Sequence, residues 1–282
     1  MAESRAGNVG TAALIATIAI ASAALVTPAP ASAALSYVQS AANTSTAEGN
    51  QGANTVNCPP SSYVVGGGAF STGGFGAVAI IGSLLDGASA WREVTDVYEG
   101  TQLHRAFAIC DTTAPALRVG SKTVDSGTEK TVRARCLAGE HVYGGGYIVA
   151  SFGSPASFGV SVPSSSRPYA GSEEGWKATA FVESGPQTLV ASALCGPKKT
   201  TVRTRTVDVD PTSQGHVQKK CASGDQVTGG GADITVGGGR GWISTTYPVD
   251  TDSDNTPNDA WKAYLENTSS KPREITVYAV CR

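Results

Sequence analysis

Apolar and polar residues alternate with a period of two over most of the chain beyond residue 34. In Ile275-Thr276-Val277-Tyr278-Ala279-Val280-Cys281, residues 275, 277 and 279 share the face of Cys281. Leu189, Ala191 and Ala193 stand likewise beside Cys195, and His104, Ala106 and Ala108 beside Cys110. Alternation places successive side chains on opposite faces of a half-buried strand. A second set follows the same rule: Trp176, Ala178, Ala180 and Val182 form one face against Lys177 and Thr179. Trp261, Ala263 and Leu265 oppose Lys262, Tyr264 and Glu266. The strand-length segments are separated by turns rich in Gly, Ser and Asn, with no sustained 3.6-residue pattern, so an all-β fold is predicted. Small residues beside each Cys leave room for sulfur and a facing strand. Each Trp reads as a core anchor.

The segments repeat. Cys58, Cys136 and Cys221 are each followed eight residues later by a glycine triplet, at 66–68, 144–146 and 229–231. Trp91, Trp176 and Trp261 precede Cys110, Cys195 and Cys281 by 19, 19 and 20 residues. Each unit opens and closes on a Cys. Three tandem homologous β modules are therefore expected at 34–112, 113–196 and 197–282. Six cysteines allow fifteen connectivities, but equivalent units imply equivalent bonds: Cys58–Cys110, Cys136–Cys195 and Cys221–Cys281. A loop of this length is worth about 4 kcal/mol in the chain-entropy estimate. The triplets end short apolar strands, and their expected role is a bulge or a close backbone approach.

Residues 1–33 change the compartment. Arg5 precedes a sixteen-residue apolar run, Thr11 to Val26, and Ala31-Ser32-Ala33 offers a small-residue cleavage site. This reads as a secretory signal, too short for the roughly twenty residues that span a bilayer. A freely secreted, extracellular mature chain of residues 34–282 is expected, with no membrane span after cleavage. Composition agrees: Gly 34 and Pro 14 supply many turns, and 40% apolar residues suffice for a core. The formal net charge of -2 removes any whole-chain electrostatic case for nucleic acid.

The pattern Cys-Pro…Val-x-Gly-Gly-Gly…Trp…Tyr-Ala-Val-Cys resembles a module of secreted proteins from high-GC Gram-positive bacteria, sometimes found at the end of collagen-like chains. The third unit matches best, with Val227-Thr228-Gly229-Gly230-Gly231, Trp261 and Tyr278-Ala279-Val280-Cys281; only the first keeps the proline, as Pro59. The resemblance implies an extracellular β module and carries no established activity. If single copies serve trimers, three copies in one chain form a pseudo-threefold body. Three beads on a string are the alternative.

Candidate chemistry is sparse. No His-Glu-x-x-His, Gly-x-Ser-x-Gly elbow or Cys-x-x-Cys pair is present, and strand-like sequence follows the triplets where a phosphate loop needs a helix. No cofactor is expected and no catalytic residue is assigned. His104, His141 and His216 occupy non-equivalent positions. The third unit departs from the repeat twice. Arg240 leads into Trp242, which has no counterpart, and Tyr247 follows, a candidate ligand-binding set. Asp250, Asp252 and Asp254 resemble the start of a calcium loop, but Asn255 stands where Gly is needed and Trp261 where Glu is needed. The run Lys198 to Arg205, with Lys219 and Lys220, reads as an exposed strand face or as a contact for anionic cell-wall polymer. In the second unit Tyr147, Phe152, Phe158 and Tyr169 stand among Gly, Ser and Pro. The function expected is a non-catalytic structural or binding protein at or near the cell surface, whose partner is an extracellular protein or a cell-wall or glycan surface. The alternatives are a lectin-like carbohydrate binder and a secreted hydrolase with dispersed catalytic residues.

Overall fold

A computed structural model describes residues 35–40, 44–151, 154–155, 159, 161–171, 173–235, 238–253 and 256–282. The expected signal segment lies outside the described residues, as do Phe152, Phe158, Asp254 and Asn255. The described residues are all-β. The first repeat contributes β1 (Ser36–Gln39), β2 (Thr44–Ala47), β3 (Asn50–Asn57), β4 (Tyr63–Ser71), β5 (Val78–Leu85), β6 (Ala90–Val97) and β7 (Thr101–Asp111). The second contributes β8 (Ala116–Val124), β9 (Thr128–Arg135), β10 (His141–Ser151), β11 (Ser154–Pro155), β12 (Ser161–Tyr169), β13 (Gly175–Val182) and β14 (Gln187–Gly196). In the third are β15 (Thr201–Val209), β16 (Ser213–Lys220), β17 (Val227–Ile234), β18 (Gly241–Val249), β19 (Ala260–Asn267) and β20 (Arg273–Cys281).

The sheets do not coincide with the repeats. The first runs β1-β7-β4-β18-β19-β16, the second β3-β6-β5-β10-β14-β8 and the third β15-β20-β17-β12-β13-β9. Each repeat divides its strands between one sheet and the next, in cyclic order, so the chain closes on itself; β2 pairs with β7 and β11 with β10 off these paths. The seams are short: Thr246 opposite Ala69, Tyr147 opposite Ser83, and Ser166 opposite Ala232. Beads on a string are not what this chain builds, because no repeat owns a whole sheet. Disulfides Cys58–Cys110, Cys136–Cys195 and Cys221–Cys281 tie each repeat to itself. Such bonds persist in an oxidising compartment.

The glycine triplets sit where the three repeats meet. A Cβ on Gly66 would strike the Thr228 carbonyl, one on Gly229 the Tyr143 carbonyl and Gly144 Cα, and one on Gly144 the Val65 carbonyl and Gly66 Cα. The first glycine of each triplet thus abuts another repeat's triplet around a shared pseudo-threefold axis. The second, at 67, 145 and 230, lies against Trp91, Trp176 and Trp261 respectively. The third, at 68, 146 and 231, faces the backbone of β18, β5 and β12 across the seam. None of the nine has a positive φ, so contact distance alone demands glycine. The bulge is one residue earlier, where the register shifts after Val64, Val142 and Val227.

Trp91, Trp176 and Trp261 are each fully buried, and the indole N–H donates to an equivalent hydroxyl: Ser83 Oγ at 3.0 Å, Ser166 Oγ at 2.9 Å and Thr246 Oγ1 at 2.7 Å. A buried indole therefore keeps its hydrogen bond in all three units.

Three loops lock the ring from one repeat to the next. Gly76, Gly159 and Gly238, all left-handed with φ of 78°, 71° and 69°, donate backbone N–H to carboxylates in another repeat. Gly76 meets Glu266 at 3.3 Å, Gly159 meets Asp96 at 2.9 Å, and Gly238 meets Glu129 at 3.0 Å. Glu266 is completely buried, although alternation along β19 placed it on the solvent side with Lys262. The loop of the first repeat covers that face.

Candidate functional site

Shared geometry turns equivalent positions into a comparison. On the outward side of each sheet, three positions converge near the seam: the third residue before the closing Cys, the second after the glycine triplet, and a residue of the neighbouring repeat. In the first sheet they are Phe107, Phe70 and Tyr247; in the second, Ser192, Ile148 and Leu84; in the third, Tyr278, Asp233 and Arg167. One backbone design carries three chemistries.

The first sheet carries an aromatic cleft. Tyr247 makes an edge contact with Phe70 at 5.2 Å between centroids and stacks on Phe107 at 5.4 Å. Around these rings lies a cleft of about 540 Å³ whose polar lining includes Gln39, Arg105 and Asp250. Arg105 Nη1 donates to Gln39 Oε1 at 3.2 Å. Burial pushes the Tyr247 hydroxyl up to about 12, so it stays a neutral donor. Apolar rings with a few convergent polar groups are what a small-ligand site requires.

The other two faces are different. On the third sheet Arg167 Nε pairs with Asp233 Oδ2 at 3.2 Å, and its guanidinium lies over Tyr278 at 4.9 Å. Burial, followed by the neighbouring Arg167 charge, lowers the Lys177 pKa there. The second sheet has a shallow apolar hollow with Leu84 and Ile148, bordered by the exposed Leu117 and Val119.

The third repeat's candidate set does not assemble. Trp242 donates its indole N–H to the Val78 carbonyl at 2.8 Å and meets Tyr98 edge-on at 6.4 Å. It packs on Ala79, Ile81 and Val94 of the first repeat. Trp242 is thus a bolt between repeats, while Tyr247 lies five residues on, roughly 15 Å along the strand. Arg240 is exposed, and its carbonyl accepts Thr268 N–H at 3.0 Å. Asp250 Oδ1 accepts the N–H of Asp252 and of Ser253 at 3.0 and 2.8 Å, which closes a turn of its own. Cys136, Cys195 and Glu140 lie together, yet the sulfurs are disulfide-bonded and Glu140 holds Arg118 at 2.5 Å, so these atoms have other partners than a metal.

One constellation was absent from the sequence reading. His104 bonds Glu93 through Nδ1 and Thr46 Oγ1 through Nε2, the latter at 2.9 Å, while Thr95 Oγ1 donates to Glu93 at 2.6 Å. The order carboxylate, imidazole, hydroxyl is that of a nucleophile relay. Here it is sealed. Glu93 and His104 have no exposed surface, and Gly52 on β3 lies so close that a Cβ would strike both Thr46 Oγ1 and the imidazole. His141 instead meets Glu174 at 3.0 Å, and His216 stacks on Tyr264.

Comparison with models of known protein families finds no match, and comparison with curated proteins finds none either.

Proposed function

We propose that this chain is a secreted, non-catalytic binding protein that acts at or near the cell surface, akin to the modules of high-GC Gram-positive bacteria that it resembles. Its ligand-facing site is the aromatic cleft of the first sheet. The observation carrying this reading is the contrast among equivalent positions: the scaffold is held constant, and one face alone of the three gathers Phe70, Phe107 and Tyr247 around an open hollow. Partly buried aromatics beside Gln39, Arg105 and Asp250 suit the apolar face and hydroxyls of a sugar, which favours a glycan among the ligand classes. A hydrolase is disfavoured because the relay of Glu93, His104 and Thr46 lies beneath β3.

A broad glycan array probed with the wild type and with Tyr247→Ala and Phe70→Ala tests the reading. Binding by the wild type that both variants lose supports it. An array that stays silent for the wild type rejects the glycan, and binding that survives both substitutions rejects the cleft.

A further inference from the structure

The basic residues of the third repeat serve neither the axis nor the aromatic cleft. β15 is the edge of the third sheet and β16 the edge of the first, and the hairpin between them makes a corner. A groove of about 670 Å³ runs along it, lined by Arg203, Arg205, His216, Lys219, Lys220 and Lys262, with no carboxylate in its lining. In a chain of net charge -2 this is a local concentration. Elsewhere four arginines pair with acids: Arg118 with Glu140, Arg135 with Glu173, Arg167 with Asp233 and Arg282 with Asp111. Among the described residues, only Lys220 of this lining reaches an acid, Asp259, and at 3.9 Å.

The repeat shows that these residues are departures. Arg203 stands opposite Ala279 as Arg118 stands opposite Ala193, but Arg118 pairs with Glu140 whereas, among the described residues, Arg203 meets no acid. Its Nε is buried without a hydrogen bond. Lys219 faces Trp261 where the other repeats place Val56 and Ala134, both buried, against Trp91 and Trp176. A lysine at an inward-facing position, with no ion pair among the described residues, stands at the corner, where Cys221 is half-exposed on the floor.

We propose that this corner is a second binding site, separate from the aromatic cleft, for an extended polymer that carries a phosphodiester on each polyol unit. Arg203 and Arg205 are two residues apart on a strand, about 7 Å, and Lys219 and Lys220 line the same groove. A single small anion engages one or two of these, whereas a chain of regularly spaced phosphates engages the row. Guanidinium forks match phosphate oxygens. Tyr264, beside the groove, is taken up by His216 of the lining at 5.3 Å and by Lys262 at 4.8 Å. It offers no platform for the base stacking on which single-stranded nucleic acid sites rely.

The test is fluorescence anisotropy with a labelled synthetic chain of phosphodiester-linked glycerol units, at low and high salt, with neutral dextran as control. The wild type binds the charged chain and not dextran, more weakly as salt rises. Arg203→Gln with Arg205→Gln weakens binding at least tenfold with a shallower salt dependence. Lys219→Ala, which restores the residue of the second repeat, weakens it several-fold without lowering the melting temperature. Tyr247→Ala leaves it unchanged, which separates this site from the cleft. The proposal is overturned if the wild type does not bind, if the double variant is folded and binds as tightly as wild type, or if single-stranded DNA of equal charge binds more tightly.

Discussion

Arg282 Nη2 bonds Asp111 Oδ2 at 2.6 Å, joining the end of the third repeat to the closing strand of the first. The same guanidinium lies 5.3 Å from the ring of Tyr143 in the second repeat, so one side chain touches both of the other repeats. Burial acts to raise the Asp111 pKa, but the Arg282 hydrogen bond, the Thr113 N–H and the charges of Arg282 and Lys198 outweigh it and hold it below the usual value. A carboxyl depressed in the folded state contributes stability above its unfolded pKa, and that contribution fades as pH falls through the folded value. Asp111→Asn should therefore cost about 1–2 kcal/mol at pH 7 and progressively less in acid, measured by urea denaturation at several pH values. An equal loss at every pH would contradict the linkage.

Asp96 and Glu266 behave in the opposite sense. Burial raises both, and the hydrogen bonds from Gln51 and Gly159, or from Gln214, Ser244 and Gly76, offset it only in part. A carboxyl raised in the folded state binds its proton more tightly when folded, so stability is greatest below the unfolded pKa and declines as pH rises through the folded one. As pH rises above the ordinary carboxyl range, Glu266→Gln should show a flatter melting-temperature profile than the wild type. Parallel profiles would exclude Glu266 as a source of the slope.

The axis makes a sharper prediction. Gly144→Ala places a methyl against the backbone of Val65 and Gly66, which no rotamer change relieves. It should cost about 3 kcal/mol or more, at the upper end of overpacking. Gly74, which has open space where a Cβ would go, is the control; Gly74→Ala should stay within about 0.5 kcal/mol of wild type. Denaturant midpoints of the two variants decide the matter.

Because every sheet is shared by two repeats, calorimetry should record one unfolding transition, and residues 34–112 expressed alone should lack a folded core. Separate transitions for the repeats would mean that the seams contribute little.

Trp242 and Tyr247 separate stability from binding. Trp242→Ala removes a half-buried indole and its bond to Val78 and should cost about 2 kcal/mol with ligand recognition intact in the folded fraction. Tyr247→Ala should leave the melting temperature nearly unchanged and abolish recognition. Reversed outcomes in thermal melts and binding assays would exchange the two roles.

Much of the architecture was legible because it is enforced three times. The glycine triplets recur eight residues after each opening Cys, the Trp faces and the cysteine pairs recur in the same order, and a repeated contact leaves a repeated letter. What stayed hidden was the exchange of strands between repeats. Alternation along β5, β12 or β18 is the same whichever repeat supplies the next strand, and the seams rest on as little as the pair Thr246 and Ala69. Glu266 looked solvent-facing because its cover, the Gly76 loop, lies 190 residues away. Trp242 stood out in the sequence for having no counterpart, and its partner Val78 belongs to another repeat. The aromatic cleft was half legible: Tyr247 was visible, but Phe70 and Phe107 join it only through the ring closure.

The cyclic exchange of strands has a consequence for what one chain can display. Three identical copies assembled around an axis must present the same surface three times, and any change made to improve one face is imposed on the others. Joining the copies in one chain lifts that constraint. The residues at the axis remain alike because they must meet one another, whereas Tyr247, Leu84 and Arg167 are free to differ. A symmetric interior thereby supports an asymmetric exterior, and a single polypeptide can hold different ligands in fixed relation to one another.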